Sequence, residues 1–188
     1  MTIKELKIKG VFEIRLSPFE DSRGFFMRTY DGEIFKAHGL KTQWPQESHS
    51  FSKSKFTVRG FHFQHSPNEE TKLIRVPQGK VLFTILDLRK DSETFGDWVQ
   101  IIVSAKQRNM IYIPKGCAPC MCTLTNNCHL LYKMDTKFAP ESYDNILWND
   151  PGLKIPWPVK KPADISEKDS KAQTFKEFSK KYKGLKDK

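Results

Sequence analysis

The 188-residue sequence predicts an all-β fold, an antiparallel jelly roll followed by short C-terminal helices. Three observations carry that expectation. Between residues 72 and 135, short strand-like segments follow one another with only turn-sized gaps. No helical pattern intervenes, so neighbouring strands pair antiparallel instead of crossing over through helices. Helical periodicity returns at the far end, where Phe175, Phe178 and Tyr182 share one helical face.

Taken in order, Val11 to Leu16 reads as an opening strand stopped by Ser17-Pro18. Asp21-Ser22-Arg23-Gly24 is a turn leading into Phe25-Phe26-Met27. Asp31 is placed to cap a short helix through Phe35 and Ala37, with Gly39 as its stop. After Trp44-Pro45-Gln46 the chain is polar until Phe56-Thr57-Val58, where it enters a central strand. Strands follow at Lys72–Pro77, Lys80–Arg89, Trp98–Ser104, Asn109–Pro114, Cys117–Leu124 and Cys128–Asp135. Pro77-Gln78-Gly79, Lys90-Asp91-Ser92, Pro114-Lys115-Gly116 and Thr125-Asn126-Asn127 supply turns between them. The proline-punctuated runs Trp148–Pro151 and Ile155–Pro158 are not regular strands, and Asp164 to Asp169 begins a helical segment. The expected division is a jelly-roll domain over residues 1–170 and a lysine-rich helix or tail over 171–188.

Composition narrows the function classes. No apolar run approaches the roughly 20 residues that span a membrane, and Met1-Thr2-Ile3-Lys4-Glu5 has no signal-peptide character. The expected setting is therefore cytoplasmic, with no membrane partner. The formal charge is +10, but seven lysines against Glu177 and Asp187 sit between 171 and 188, and no nucleic-acid-binding motif accompanies them. Nucleic acid is not an expected partner. Cys117, Cys120, Cys122 and Cys128 crowd together too closely for a disulfide framework. With His129 they suggest zinc, but no second Cys-x-x-Cys pair is present, and reduced, partly buried thiols are the plainer reading. A second metal arrangement, of histidines converging in a barrel, is opposed by spacing. His62 and His65 lie three apart and face opposite sides of a strand. No metal is expected.

The stretch that carries chemistry is Arg59-Gly60-Phe61-His62-Phe63-Gln64. At period two, Phe61 and Phe63 take one face and His62 and Gln64 the other. Polar groups directed inside a β-structure are costly unless partnered, so the pair either is satisfied structurally or serves a ligand. Gly60 lets another backbone or a ligand approach closely.

These residues belong to a longer series: Asp21-Ser22-Arg23-Gly24-Phe25-Phe26, Gln46 with His49-Ser50, Lys72-Leu73-Ile74-Arg75-Val76, Asp87-Leu88-Arg89 and Thr94-Phe95-Gly96-Asp97-Trp98. Ile113-Pro114-Lys115-Gly116, Leu131-Tyr132-Lys133, Trp148-Asn149-Asp150-Pro151 and Ser166-Glu167-Lys168-Asp169 complete it. In this order they resemble the dTDP-4-dehydrorhamnose 3,5-epimerases, non-metal members of the cupin superfamily, from about residue 10 to 170.

The resemblance implies a cupin-type jelly roll needing no cofactor and acting on a nucleotide-linked 4-keto-6-deoxy sugar. The ketone acidifies the hydrogens on both flanking carbons; a base removes one, and a proton returned to the opposite face inverts the centre. It makes His62 the base, Asp169 the group that orients its ring, Lys72 the cation beside the enolate oxygen and Tyr132 the proton donor. Arg23 and Arg59, assisted by Lys168, become diphosphate contacts, because a guanidinium fork suits paired phosphate oxygens. Gln46, Phe19 and Gln64 complete the substrate-binding set. A homodimer and a place in surface-polysaccharide synthesis are likewise implied.

Four positions depart from the family pattern: Pro119 replaces a histidine, Phe83 an aspartate, Arg28 an acidic residue and Lys137 a tyrosine. The first two strip polar groups from the sugar end. The departures keep open a single-centre epimerase acting on a sugar linked to another nucleotide, or a module that binds a sugar nucleotide without turning it over.

Overall fold

The structure is a computed structural model and describes residues 1–186. Asp187 and Lys188, the end of the lysine-rich tail, lie outside the described residues. Two antiparallel sheets face each other. One has six strands in the order β1 (Thr2–Glu5), β2 (Phe12–Arg15), β11 (Asn109–Ile113), β8 (Lys72–Gln78), β13 (Cys128–Met134) and β5 (Gln46–Ser52). The other runs β10 (Trp98–Ser104), β9 (Lys80–Asp87), β12 (Cys117–Thr123) and β6 (Val58–Arg59). Two ribbons complete it: β3 (Phe19–Asp21) with β4 (Gly24–Phe26), and β7 (His62–Gln64) with β14 (Tyr143–Asn145). This is the expected jelly roll.

Strand alternation builds three apolar layers. Ile74, Val76, Val81, Phe83, Ile85, Ile111, Met121 and Leu130 fill the space between the sheets. Outside the six-stranded sheet, Leu73, Met110 and Tyr112 are covered by Phe35 and Leu40. Phe35 belongs to α1 (Gly32–Ala37), whose first turn is capped by the Asp31 carboxylate accepting from the Glu33 and Ile34 amides. Outside the four-stranded sheet, Leu86, Leu88, Ala118, Cys120 and Cys122 lie under Trp148, Leu153, Phe178 and Leu185. Strand β12 is thus covered on both faces, which is why it reads as an almost continuous apolar run. All four cysteines are buried, and none forms a disulfide. Among the described residues, no group of three or more metal-binding side chains assembles.

The C-terminal segment closes that outer layer through α2 (Glu167–Ser170) and α3 (Phe175–Tyr182). Thr174 and Glu177 form a reciprocal capping box at the start of α3, and Phe178 is fully buried. Burying one such phenylalanine contributes roughly 1.5–3 kcal/mol. His65 joins this helix to the body. Its ring lies 4.4 Å from that of Tyr182, and its Nε2 meets Asp144 Oδ2 at 3.0 Å. No described helix is long and apolar enough to cross a membrane.

Three expectations are corrected. The central strand is broken: Val58–Arg59 belongs to the four-stranded sheet, and His62–Gln64 pairs separately with β14. Gly60 stands at the break with φ +122°, and a Cβ there would meet Cys120 Cα and the Pro119 carbonyl oxygen at 2.6 Å. Close approach of two backbones is the reason for the glycine. The polar stretch after Trp44 is in fact strand β5, and Thr2–Glu5 is strand β1. Both are sheet edges with mostly exposed residues, so the apolar alternation that marks an interior strand is missing.

Candidate active site

The site lies where the broken strand passes the open end of the sandwich. Two neighbouring cavities of about 230 Å³ and 250 Å³ share Arg59 and His62 as lining residues. The first is further lined by Ser50, Lys72, Ile74, Phe83, Pro119, Met121 and Tyr132. The second adds Tyr143, Ser166, Lys168 and Asp169, among others. The resemblance-derived base, ring-orienting residue, cation and proton donor therefore converge from β7, α2, β8 and β13.

His62 Nε2 lies 2.7 Å from Asp169 Oδ1. The carboxylate also accepts from Asn145 Nδ2 at 3.2 Å and, through Oδ2, from the Gly60 amide at 3.4 Å. Burial pushes the Asp169 carboxyl upward, but these hydrogen bonds and the facing His62 outweigh it and hold it below the ordinary carboxylate value. An ionised Asp169 can only accept, so His62 Nε2–H donates and the Nδ1 lone pair is left for a proton. Helix α2 presents the aspartate because Ser166 caps its start, its side chain accepting from the Asp169 amide. Asn145 reaches the same carboxylate from β14, directly opposite His62 in the ribbon.

Tyr132 is partly buried on β13, and its hydroxyl sits 3.1 Å from Ser50 Oγ. Burial raises its pKa, with partial offset from the Ser50 hydrogen bond and the Arg59 charge, so the phenol holds its proton at neutral pH. Lys72 Nζ pairs with Glu70 Oε1 at 2.9 Å, both side chains nearly buried. Such an enclosed pair fixes the ammonium in place. Arg59 is steadied by Ser52 Oγ at 3.4 Å and the Phe51 carbonyl at 3.3 Å. Lys168 Nζ stands 3.6 Å from the centre of the Tyr143 ring, which itself lies 5.4 Å from the His62 ring.

The remaining expected contacts are placed differently. Gln64 is buried, and its amide bonds the Asn68 and Lys137 carbonyls and the Ala139 amide, which latches the 137–139 loop. Gln46 accepts from the Phe138 amide at 3.0 Å. Arg23 and Phe19 occupy the exposed β3–β4 hairpin, where Arg23 pairs with Asp21 at 2.6 Å, and neither lines the two cavities. Sequence reasoning missed Ser50, Glu70, Tyr143 and Asn145 as site components. Only Glu70 carries a local signal, since it is an acidic residue standing two positions before Lys72.

Comparison with known proteins gives the same direction. The family model described as dTDP-4-dehydrorhamnose 3,5-epimerase matches residues 5–177. The enzyme of that description from Salmonella typhimurium is 37% identical over 173 residues, covering 92% of this chain and 94% of its own. The crystal structure of the Bacillus anthracis dTDP-4-dehydrorhamnose 3,5-epimerase, with TDP and PPi bound, superposes with a TM-score of 0.89 at 36% identity, covering 92% of this chain and 98% of that one. The Legionella pneumophila enzyme in complex with dTDP-4-keto-L-rhamnose gives a TM-score of 0.91 at 29% identity, covering all of this chain and 98% of the other. With the fold, the His–Asp pair and these likenesses in agreement, the chain belongs to the dTDP-4-dehydrorhamnose 3,5-epimerase family, a family of isomerases.

Proposed function

We propose that this protein epimerises a dTDP-linked 4-keto-6-deoxy sugar at one or both of the carbons flanking the ketone. The observation that carries the reading is the 2.7 Å bond between His62 and Asp169 at a cavity also lined by Lys72 and Tyr132. His62 Nδ1 takes the proton from carbon, and Asp169 stabilises the resulting imidazolium. The charge that moves onto the ketone oxygen is met by Lys72. Tyr132 returns a proton from the other side of the ring, leaving the inverted centre; the imidazolium then gives its proton to solvent and the phenolate takes one back from it. A fixed cation in a dry site is worth several kcal/mol toward the enolate, on the order of one oxyanion-hole donor.

The two cavities divide the substrate between them. The sugar takes the one lined by Lys72 and Tyr132, and Arg59 and Lys168 hold the diphosphate at the join. Thymidine as the nucleoside is supported by the names and bound ligands of the relatives. In this reading the protein is cytoplasmic and homodimeric, and Arg23 and Phe19 on the exposed β3–β4 hairpin, with Gln46, serve the substrate in the assembled dimer. Residues 1–170 form the catalytic unit and 171–188 its C-terminal extension.

Proton NMR in deuterated water with a dTDP-4-keto-6-deoxy sugar tests the reading. Exchange at the carbons flanking the ketone is expected, with a loss of 100-fold or more for His62→Ala, in line with removal of a general base. Exchange that is unaffected in His62→Ala overturns the assignment.

A further inference from the structure

A sugar in the smaller cavity meets two unlike walls. The six-stranded sheet offers Lys72 and Tyr132, with Ser50 bonded to the tyrosine. Apart from Arg59 at its edge, the four-stranded sheet offers Phe83, Pro119 and Met121, whose side chains bring no hydrogen-bonding group comparable to a hydroxyl or amide. The backbones of β9 and β12 are paired with one another through this stretch.

Strand register says which part of the sugar meets that wall. Met121 lies opposite Arg59 on one side and opposite Phe83 on the other. Residues paired across a ladder share a face, so Arg59, Met121 and Phe83 form one row. A diphosphate held at Arg59 leads its sugar along Met121 and onto Phe83, both buried. On the epimerase reading, on which this inference rests, the polar groups are already committed. Lys72 attends the ketone at C4, and His62 and Tyr132 attend C3 and C5. C2, next to the anomeric carbon, is left to the apolar row. A hydroxyl there gives up its water and finds no partner.

We propose that the substrate carries hydrogen in place of hydroxyl at C2, making it a nucleotide-linked 4-keto-2,6-dideoxy sugar, and that Phe83 and Met121 select for it. The test compares solvent-deuterium exchange by the full-length protein on two dTDP-4-keto-6-deoxy sugars, one with and one without the C2 hydroxyl. The expected result is a kcat/KM roughly 10- to 100-fold higher for the 2-deoxy sugar, the range over which an apolar pocket rejects an added hydroxyl. Phe83→Asn and, separately, Met121→Gln are expected to narrow that ratio about tenfold or more, with circular dichroism confirming the fold of each. If Phe83→Asn does not fold, Met121→Gln and the wild-type ratio decide. Equal or better use of the 2-hydroxy sugar by the wild-type protein overturns the proposal while leaving the epimerase reading intact. An unchanged ratio in the folded variants removes the role of the wall. Exchange on neither sugar overturns the epimerase reading and this inference with it.

Discussion

At the scale of single residues, the site is defined by which groups accept and which donate. Asp169 accepts three hydrogen bonds, from His62, Asn145 and Gly60, and that fixes the imidazole tautomer. Tyr132, partly buried and protonated, is the complementary acid of the proposed reaction. Replacing it by Phe separates the two half-reactions. Inversion is expected to fall by about 10²- to 10⁴-fold, while deuterium wash-in at the carbon facing His62 persists. Wash-in and inversion, followed together on one NMR sample, check this; equal loss of both would reassign the tyrosine. His62, Lys72 and Tyr132 were legible in the sequence through their motifs, and Asp169 through its own. Asn145 was not, because it acquires its role only by pairing across from His62 in a ribbon that joins segments some eighty residues apart.

At the scale of elements, the break between β6 and β7 is the feature on which the site depends. A Cβ on Gly60 would strike backbone atoms of β12, and the residue has a positive φ that side chains disfavour. Gly60→Ala is therefore expected to cost about 2–4 kcal/mol, from overpacking and backbone strain together. Chemical denaturation measures this; a cost under 0.5 kcal/mol would show that β12 yields easily. The elements that sequence reading placed well are those with local signals, such as the Asp31-capped helix, the strands from Lys72 to Met134 and the Phe175–Tyr182 face. Edge strands β1 and β5 escaped because both are mostly exposed and lack apolar alternation, and β5 moreover finds its partner only in the distant β13. Gln64 was read as facing a ligand, since alternation alone does not reveal that the loop at 137–139 covers it.

At the scale of the whole molecule, the C-terminal segment and the site are joined through carboxylates. Asp144 is pushed up by burial, but hydrogen bonds from His65, Gln173 and the Asn145 amide hold it below the ordinary value, as Asp169 is held by its own partners. Because both are depressed in the folded state, their contribution is fully present above the ordinary carboxylate pKa of 3.8 and is lost as pH falls through the folded values. Urea midpoints are therefore expected to drop steeply below about pH 4, and Asp144→Asn to flatten that drop while lowering stability at neutral pH. An Asp144→Asn profile parallel to wild type would disprove the linkage. The His65 contacts to Phe178 and Tyr182 make α3 part of the same unit, so its loss and the loss of the active-site pair should coincide in temperature.

The break at Gly60 also divides inheritance. On the proposed reading, the reacting groups come from β7, β8, β13 and α2, whereas the apolar row beneath the sugar comes from β9 and β12. Substitutions on the four-stranded sheet can retune the diet of the enzyme while the proton-transfer machinery stays as it is. A lineage, or an engineer, can thus exchange one sugar for another by repainting two strands.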